Sequence, residues 1–499
     1  MMVIPKLKPW AAALLAAATL SASACATLRP TPAQGGPPWR ELTSEHFRLR
    51  TDVPEREARE LIRRLEEHRA GMLATVWPQA TGAPTRIDVV ALGGGAQVHA
   101  YLGPYRAGLR GNRPPLGATL VTGDLRNDES DGVLRHELAH ELAHWSMPFQ
   151  PPWYAEGVAM FLQTLTYDRD AQEVRVGMVA RRPRQTLAHL SLLPARELLS
   201  ARSVSHDQQG ARFEATAWLL MQYLMNQMPQ ELASLQQRMA RLEPPDQAWA
   251  AAMPQLGPEA LDRALEAYRR HQQYWVAKLP LVVPEPRVSV RAMSDAEVHG
   301  VRALVFDLGA RGDDAVALAR IDAEVKEALR LEPGAIDASV EAFYALTSSR
   351  DERRLADIAG AAVRAHPDRW VAWVMAADAA PAGGPERRKA LERAVALGPA
   401  EPGVLTRMAV LEAREGRWAE ALAFTSRALR LHAMSWELLS LHAQALTRTG
   451  RCNDAAFFRR AVAANTDPEA GGKRTASASG AADLAADAGC STRAPPGSP

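Results

Sequence analysis

The spacing of apolar residues divides this chain into an α+β half and a helical half. Glu45-His46-Phe47-Arg48-Leu49-Arg50 alternates as a half-buried strand does, and Arg86 to Leu92 predicts a second strand. Pro54 to Val76 instead brings Leu61, Leu65 and Met72 to one side at helical spacing. Glycines 93–95 and the stretch Gly103 to Pro115 break regularity, and Ala118-Thr119-Leu120-Val121 then predicts a short strand. A strand there, running beside the next helix, would offer backbone N–H and C=O groups to an extended peptide. Leu187 to Trp275 reads as helical almost throughout, most strongly over Phe213 to Asn226 and Pro258 to Tyr274, while Arg181-Arg182-Pro183-Arg184 reads as a solvated turn.

Prolines 280, 284 and 286 then predict an extended linker over 278–301. Beyond it the chain repeats with a period of about 34 residues, the length of one helix pair. Gly416 recurs as Gly450, Ala421 as Ala455, Leu405 as Leu439 and Ala409 as Ala443. Ala328-Leu329 to Pro333, Ala362-Val363 to Pro367 and Ala394-Val395 to Pro399 match the end of such a unit, with small residues where helices cross and Pro where the second helix stops. The period resembles tetratricopeptide repeats and implies about five of them over 302–468, a solenoid whose concave face binds a protein partner. An Ala/Gly/Ser-rich tail, 469–499, is expected to be disordered.

Length and charge narrow the function. A chain of 499 residues has room for several domains, and its net charge of +2 gives no reason to expect nucleic acid as a partner. The first 24 residues have the form of an export signal: Lys6 and Lys8, an apolar run from Trp10 to Leu20, then Ser21-Ala22-Ser23-Ala24-Cys25. Small residues before a cysteine resemble the lipobox of bacterial lipoproteins, which implies that Cys25 is lipidated; Ala22-Ser23-Ala24 also fits an ordinary cleavage site. Ala26 is not the aspartate that retains lipoproteins at the inner membrane, so the resemblance favours a lipid anchor in the outer membrane, facing the periplasm. Residues 25–38 then form a tether. Cys452 and Cys490 remain, and a bridge between them would stabilise by about 4 kcal/mol in the chain-entropy view; an unpaired Cys490 in the tail is the alternative.

The chemistry is concentrated in His136-Glu137-Leu138-Ala139-His140-Glu141-Leu142-Ala143-His144, two overlapping copies of HExxH. Histidines four apart lie on one helix face and can converge on one metal. Leu134, Leu138 and Leu142 predict a buried stripe beside them, Ser130 or Asp131 an N-cap, and Pro148 the end of the helix. A zinc site needs a third protein ligand and an open position. Glu156, in Pro152-Trp153-Tyr154-Ala155-Glu156-Gly157-Val158-Ala159, supplies the ligand if the chain turns back. Either His136/Glu137/His140 or His140/Glu141/His144 could be the working set. Fifteen residues separate His140 from Glu156 but only eleven separate His144 from it, which favours the first set, with His144 beside the site.

HExxH followed by Pro-x-Trp-x-x-Glu-Gly-x-Ala resembles the peptidase MA-like gluzincins, and the resemblance extends to Trp39–Phe47 and Phe213–Leu224. It implies a zincin-like α+β domain over 39–277, zinc held by His136, His140 and Glu156, Glu137 as general base, and a peptide or protein substrate. Relatives often carry Tyr where this chain has Glu214. The group that stabilises the oxyanion is therefore open among Tyr101, Tyr154, Tyr167, His144 and His206. A different class of function also fits: an inactive envelope scaffold acting through its repeats.

Overall fold

A computed structural model describes residues 30–465, apart from short breaks at 81–84, 104–107, 114–116, 124–127, 148, 203, 205–207, 272–273, 275, 311–313, 347–351 and 432–434. The expected export signal, Cys25, Pro148, His206, Cys490 and the tail lie outside the described residues. The chain is α+β first and helical afterwards.

The first half runs β1 (Arg40–Thr43), β2 (Phe47–Thr51), α1 (Glu55–Val76), β3 (Ile87–Ala91), α2 (Gly95–Leu102), β4 (Gly108–Arg113), β5 (Gly117–Thr122), α3 (Asp128–Ser146) and α4 (Pro152–Leu162). A hairpin of β6 (Thr166–Asp168) and β7 (Glu173–Val176) follows, then α5 (Arg181–His189), α6 (Ala195–Ser200), α7 (Gln208–Gln227), α8 (Pro229–Ala240), α9 (Pro245–Ala252) and α10 (Pro258–His271). Last come β8 (Ala277–Pro280) and β9 (Ser289–Ala292). Six strands make one mixed sheet in the order β4-β5-β3-β2-β1-β9, with β2, β3 and β5 parallel. The alternation legible in the sequence sorts the two faces. Phe47, Leu49, Ile87, Val89 and Leu120 enter one core with α1, α3, α4 and α7, while Val90 and Val121 enter a second core on the other side.

Two expectations change here. Ala118–Val121 lies inside β5, which is paired on both sides, so it cannot receive a peptide; the sheet edge is β4, within the Gly- and Pro-broken stretch that read as irregular. Glycine at 108 and 111 hid the strand pattern because close neighbours, the Val121 carbonyl and the Leu308 side chain, leave no room for a Cβ there. Parts of 278–301 are also built into the fold: β8 pairs with β7, β9 pairs with β1 as the far edge, and a helix begins at Asp295. Proline is tolerated at such edges, so its punctuation did not mark a free linker.

The helical half is a row of pairs: α11 (Asp295–Gly309) with α12 (Ala315–Leu331), α13 (Ile336–Leu346) with α14 (Glu352–Ala365), and α15 (Trp370–Ala379) with α16 (Pro385–Leu397). It continues with α17 (Pro402–Arg414) against α18 (Trp418–Arg430), and α19 (Trp436–Arg448) against α20 (Cys452–Asn465). Ala328, Ala362, Ala394 and Ala428 are fully buried where helices cross. Gly416 and Gly450 close α17 and α19 in the left-handed region, at φ 76° and 80°, which explains why glycine recurs at that period.

The first pair does not hang free. Val298, Val301, Val305 and Phe306 of α11, with Ile321 and Val325 of α12, cover the second face of the six-stranded sheet and complete a three-layer arrangement. Beside this core Arg50 of β2, only 1% exposed, donates to Asp337 of α13 at 2.9 Å. Without Asp337 the buried Arg50 keeps only the Asp88 carboxylate, 4.0 Å away and already paired with Arg48, so Asp337→Ala is expected to destabilise the protein by about 3 kcal/mol. Replacing both residues with apolar ones should cost much less, and denaturant unfolding of the three variants measures the difference.

Candidate metal centre

The α3–α4 hairpin builds the site. Leu134, Leu138 and Leu142 are buried and hold α3 against the sheet, which leaves His136, His140 and His144 half-buried on the adjacent face. The helix starts at Asp128, earlier than expected, so Ser130 and Asp131 lie in its first turn rather than at its cap. The Asp131 carboxylate accepts instead from Arg64 of α1 and Arg135. At the other end the Met147 amide donates to Ala143 at 2.7 Å, and Pro152 opens α4, where a missing N–H costs nothing. Helix α4 then crosses α7 with its backbone almost touching: a Cβ on Gly157 would stand 2.7 Å from the Ala217 carbonyl oxygen. Glycine after Glu156 is what permits this approach.

The return brings three donors together. Nε2 of His136 and Nε2 of His140 are 3.0 Å apart. Each lies 3.6 Å from an oxygen of Glu156, and all three donor atoms lie within 4.8 Å of one another. Ligands about 2 Å from a tetrahedral zinc stand about 3.3 Å apart, so these residues fit that ion in spacing and in donor chemistry.

The electrostatics favour a cation as well. Burial, then the Arg182 charge, lowers His136 to about 4, and burial, then His136 and Arg110, holds His140 well below the usual histidine range. Burial, then the charges of Glu214 and Glu137, pushes Glu156 up to about 8. Without a cation the pocket favours neutral imidazoles and a protonated carboxyl; a divalent ion would stabilise the carboxylate form.

His144 lies outside this group of three. Glu141, the glutamate of the second HExxH copy, is 4% exposed and accepts from Arg110 Nε at 2.6 Å and Trp145 Nε1 at 2.7 Å. It ties edge strand β4 to α3. Glu137 is half-buried and close enough for its charge to reach Glu156.

The tyrosines considered for the oxyanion are occupied elsewhere. Tyr101 is buried in the second core, Tyr154 is fully buried and accepts from Gln236, and the Tyr167 hydroxyl donates to the Leu281 carbonyl. Each has a packing role that a local pattern could not reveal. Two residues near the site were not legible as such, Arg110 and Arg182, while Glu214, which the resemblance placed there, acts on Glu156 by its charge. The stretch Arg181–Arg184 begins helix α5 rather than a turn, and Arg182 Nη1 stands 3.7 Å from the Glu214 carboxylate. Cys452 is disulfide-bonded, and both other cysteines lie outside the described residues.

In comparisons with known proteins, no family model and no curated protein matches the chain.

Gly157→Ala is expected to force α4 from α7, costing about 1–3 kcal/mol, and to weaken metal binding; unfolding curves and zinc titration measure the two effects. The grouping of donors also separates the registers: His136→Ala should abolish stoichiometric zinc, whereas His144→Ala should keep one ion per chain by elemental analysis.

Proposed function

We propose that this chain is an exported zinc-dependent peptidase, lipid-anchored to the cell envelope through Cys25, with C-terminal tetratricopeptide-like repeats that recruit a protein substrate or partner. The observation that carries the peptidase reading is the convergence of His136, His140 and Glu156, with Glu137 one residue after the first ligand and outside the group of donors. Bound zinc would supply Lewis acidity to the scissile carbonyl and make water a nucleophile near neutral pH.

The residues of the chain then divide the work. His136 and His140, kept neutral by burial, present lone pairs, and Glu156 presents the charge. Glu137 accepts a proton as the water oxygen bonds to the carbonyl carbon, and returns it to the amide nitrogen as the C–N bond breaks. Edge strand β4 packs against α3, so an extended peptide added to its open side would run beside the histidines. The Glu141–Arg110 ion pair holds that edge in place.

Glu137→Gln should retain zinc and lose hydrolysis of a peptide library by about 10² to 10⁴-fold. Undiminished cleavage by that variant, or wild-type protein that takes up no zinc, would sink the reading. Full function in cells carrying Glu137→Gln would instead favour the envelope scaffold.

A further inference from the structure

The repeats return to the peptidase half at one edge. Residues at the N-terminal ends of α13, α17 and α19 each lie near that half. Asp337, the second residue of α13, pairs with Arg50 of the sheet, and Arg369, which precedes α15, lies close enough for its charge to act on Asp337. Glu401, which precedes α17, is pushed up to about 7 by burial and then by the charge of Asp88 on β3, with Arg48 opposing. Trp436, the first residue of α19, stacks on Phe149 with ring centroids 3.7 Å apart and planes 23° from parallel.

The last contact differs from the others because of where Phe149 sits. The connection between α3 and α4, described at Met147 and residues 149–151, leads Glu156 toward the two histidines. Both helices are anchored along their lengths, α3 on the sheet and α4 on α7. The ends of the turn are packed, with Met147 in the core and Pro151 buried, while between them Phe149 is half-buried and stacks on a residue far away in sequence. Aromatic stacking of this geometry restricts both rings and is worth more than the area it covers.

We propose that Trp436 is a positioning residue for the metal centre: by stacking on Phe149 it fixes the turn between the helix that carries His136 and His140 and the helix that carries Glu156. The last repeat pair is thus a structural part of the site as well as a surface for partners. The proposal rests on the metal-site reading above and says nothing of which bond is cut.

The test uses the full chain with Trp436→Ala, Trp436→Phe, Phe149→Ala and the double alanine variant. Amide hydrogen exchange is read over residues 147–154 in metal-free protein, and the zinc dissociation constant by competition with a chromophoric chelator. Either alanine variant should speed exchange in the turn and weaken zinc binding by about three- to tenfold. The double variant should be no worse than either single one, and Trp436→Phe should stay near wild type. Unchanged exchange in the turn, additive effects in the double variant, or Trp436→Phe as damaging as Trp436→Ala would overturn the proposal. If Trp436→Ala unfolds the last helix pair, Phe149→Ala decides alone, since it lies outside the repeats. Exchange needs neither metal nor turnover, so a turn held as proposed in a protein that cleaves no peptide would refute the peptidase reading and leave this one standing.

Discussion

Two imidazole nitrogens and a carboxylate held within 4.8 Å of one another, in a partly buried pocket, create a tension that the surrounding structure has to contain. Burial drives His136 and His140 toward the neutral form and Glu156 toward protonation, so the three groups gain little from each other without a cation. Such a set stays together only if each helix that carries it is anchored elsewhere. The leucine stripe of α3 and the glycine crossing of α4 on α7 provide that anchorage.

The overlapping HExxH copies show how one helix can use the same residues in two ways. His140 belongs to both copies and joins the donor group. The residues left over serve packing: Glu141 is enclosed by Arg110 and Trp145 and joins the edge strand to the helix. A glutamate buried under two donors is poorly placed to move a proton to and from a substrate. Glu137, one turn earlier, is half-buried and lies closer to the donor group, where its charge acts on Glu156.

The helix pairs of the second half begin as a layer of the first. Valines and Phe306 of α11 seal the sheet face opposite the histidine helix, and Arg50 is buried beneath Asp337. Removing the repeats would expose that apolar face and a buried charge together, so the two halves are expected to be stable only as one chain. Stacked pairs transmit position from neighbour to neighbour.

Periodicity alone was enough to read the α+β half, the helical half and the long elements within them: β2, α1, β3, the histidine helix and the helix pairs. Each has several apolar residues at one spacing. The choice of His136, His140 and Glu156 as a group was also legible, because helical spacing and the length of the return are local quantities. What escaped the sequence were features made by contact at a distance. The edge strand β4 was hidden by glycines that close packing requires, and strand β8 by Pro280, which a sheet edge accepts. The tyrosines looked available until the core claimed them, and Arg110, Arg182 and Trp436 had no local sign of the contacts they make around the site. Local spacing fixes which residues share a face, since the backbone geometry of helix and strand is universal. Which faces meet, and which polar groups remain free once they have met, is decided by packing among residues far apart in the chain.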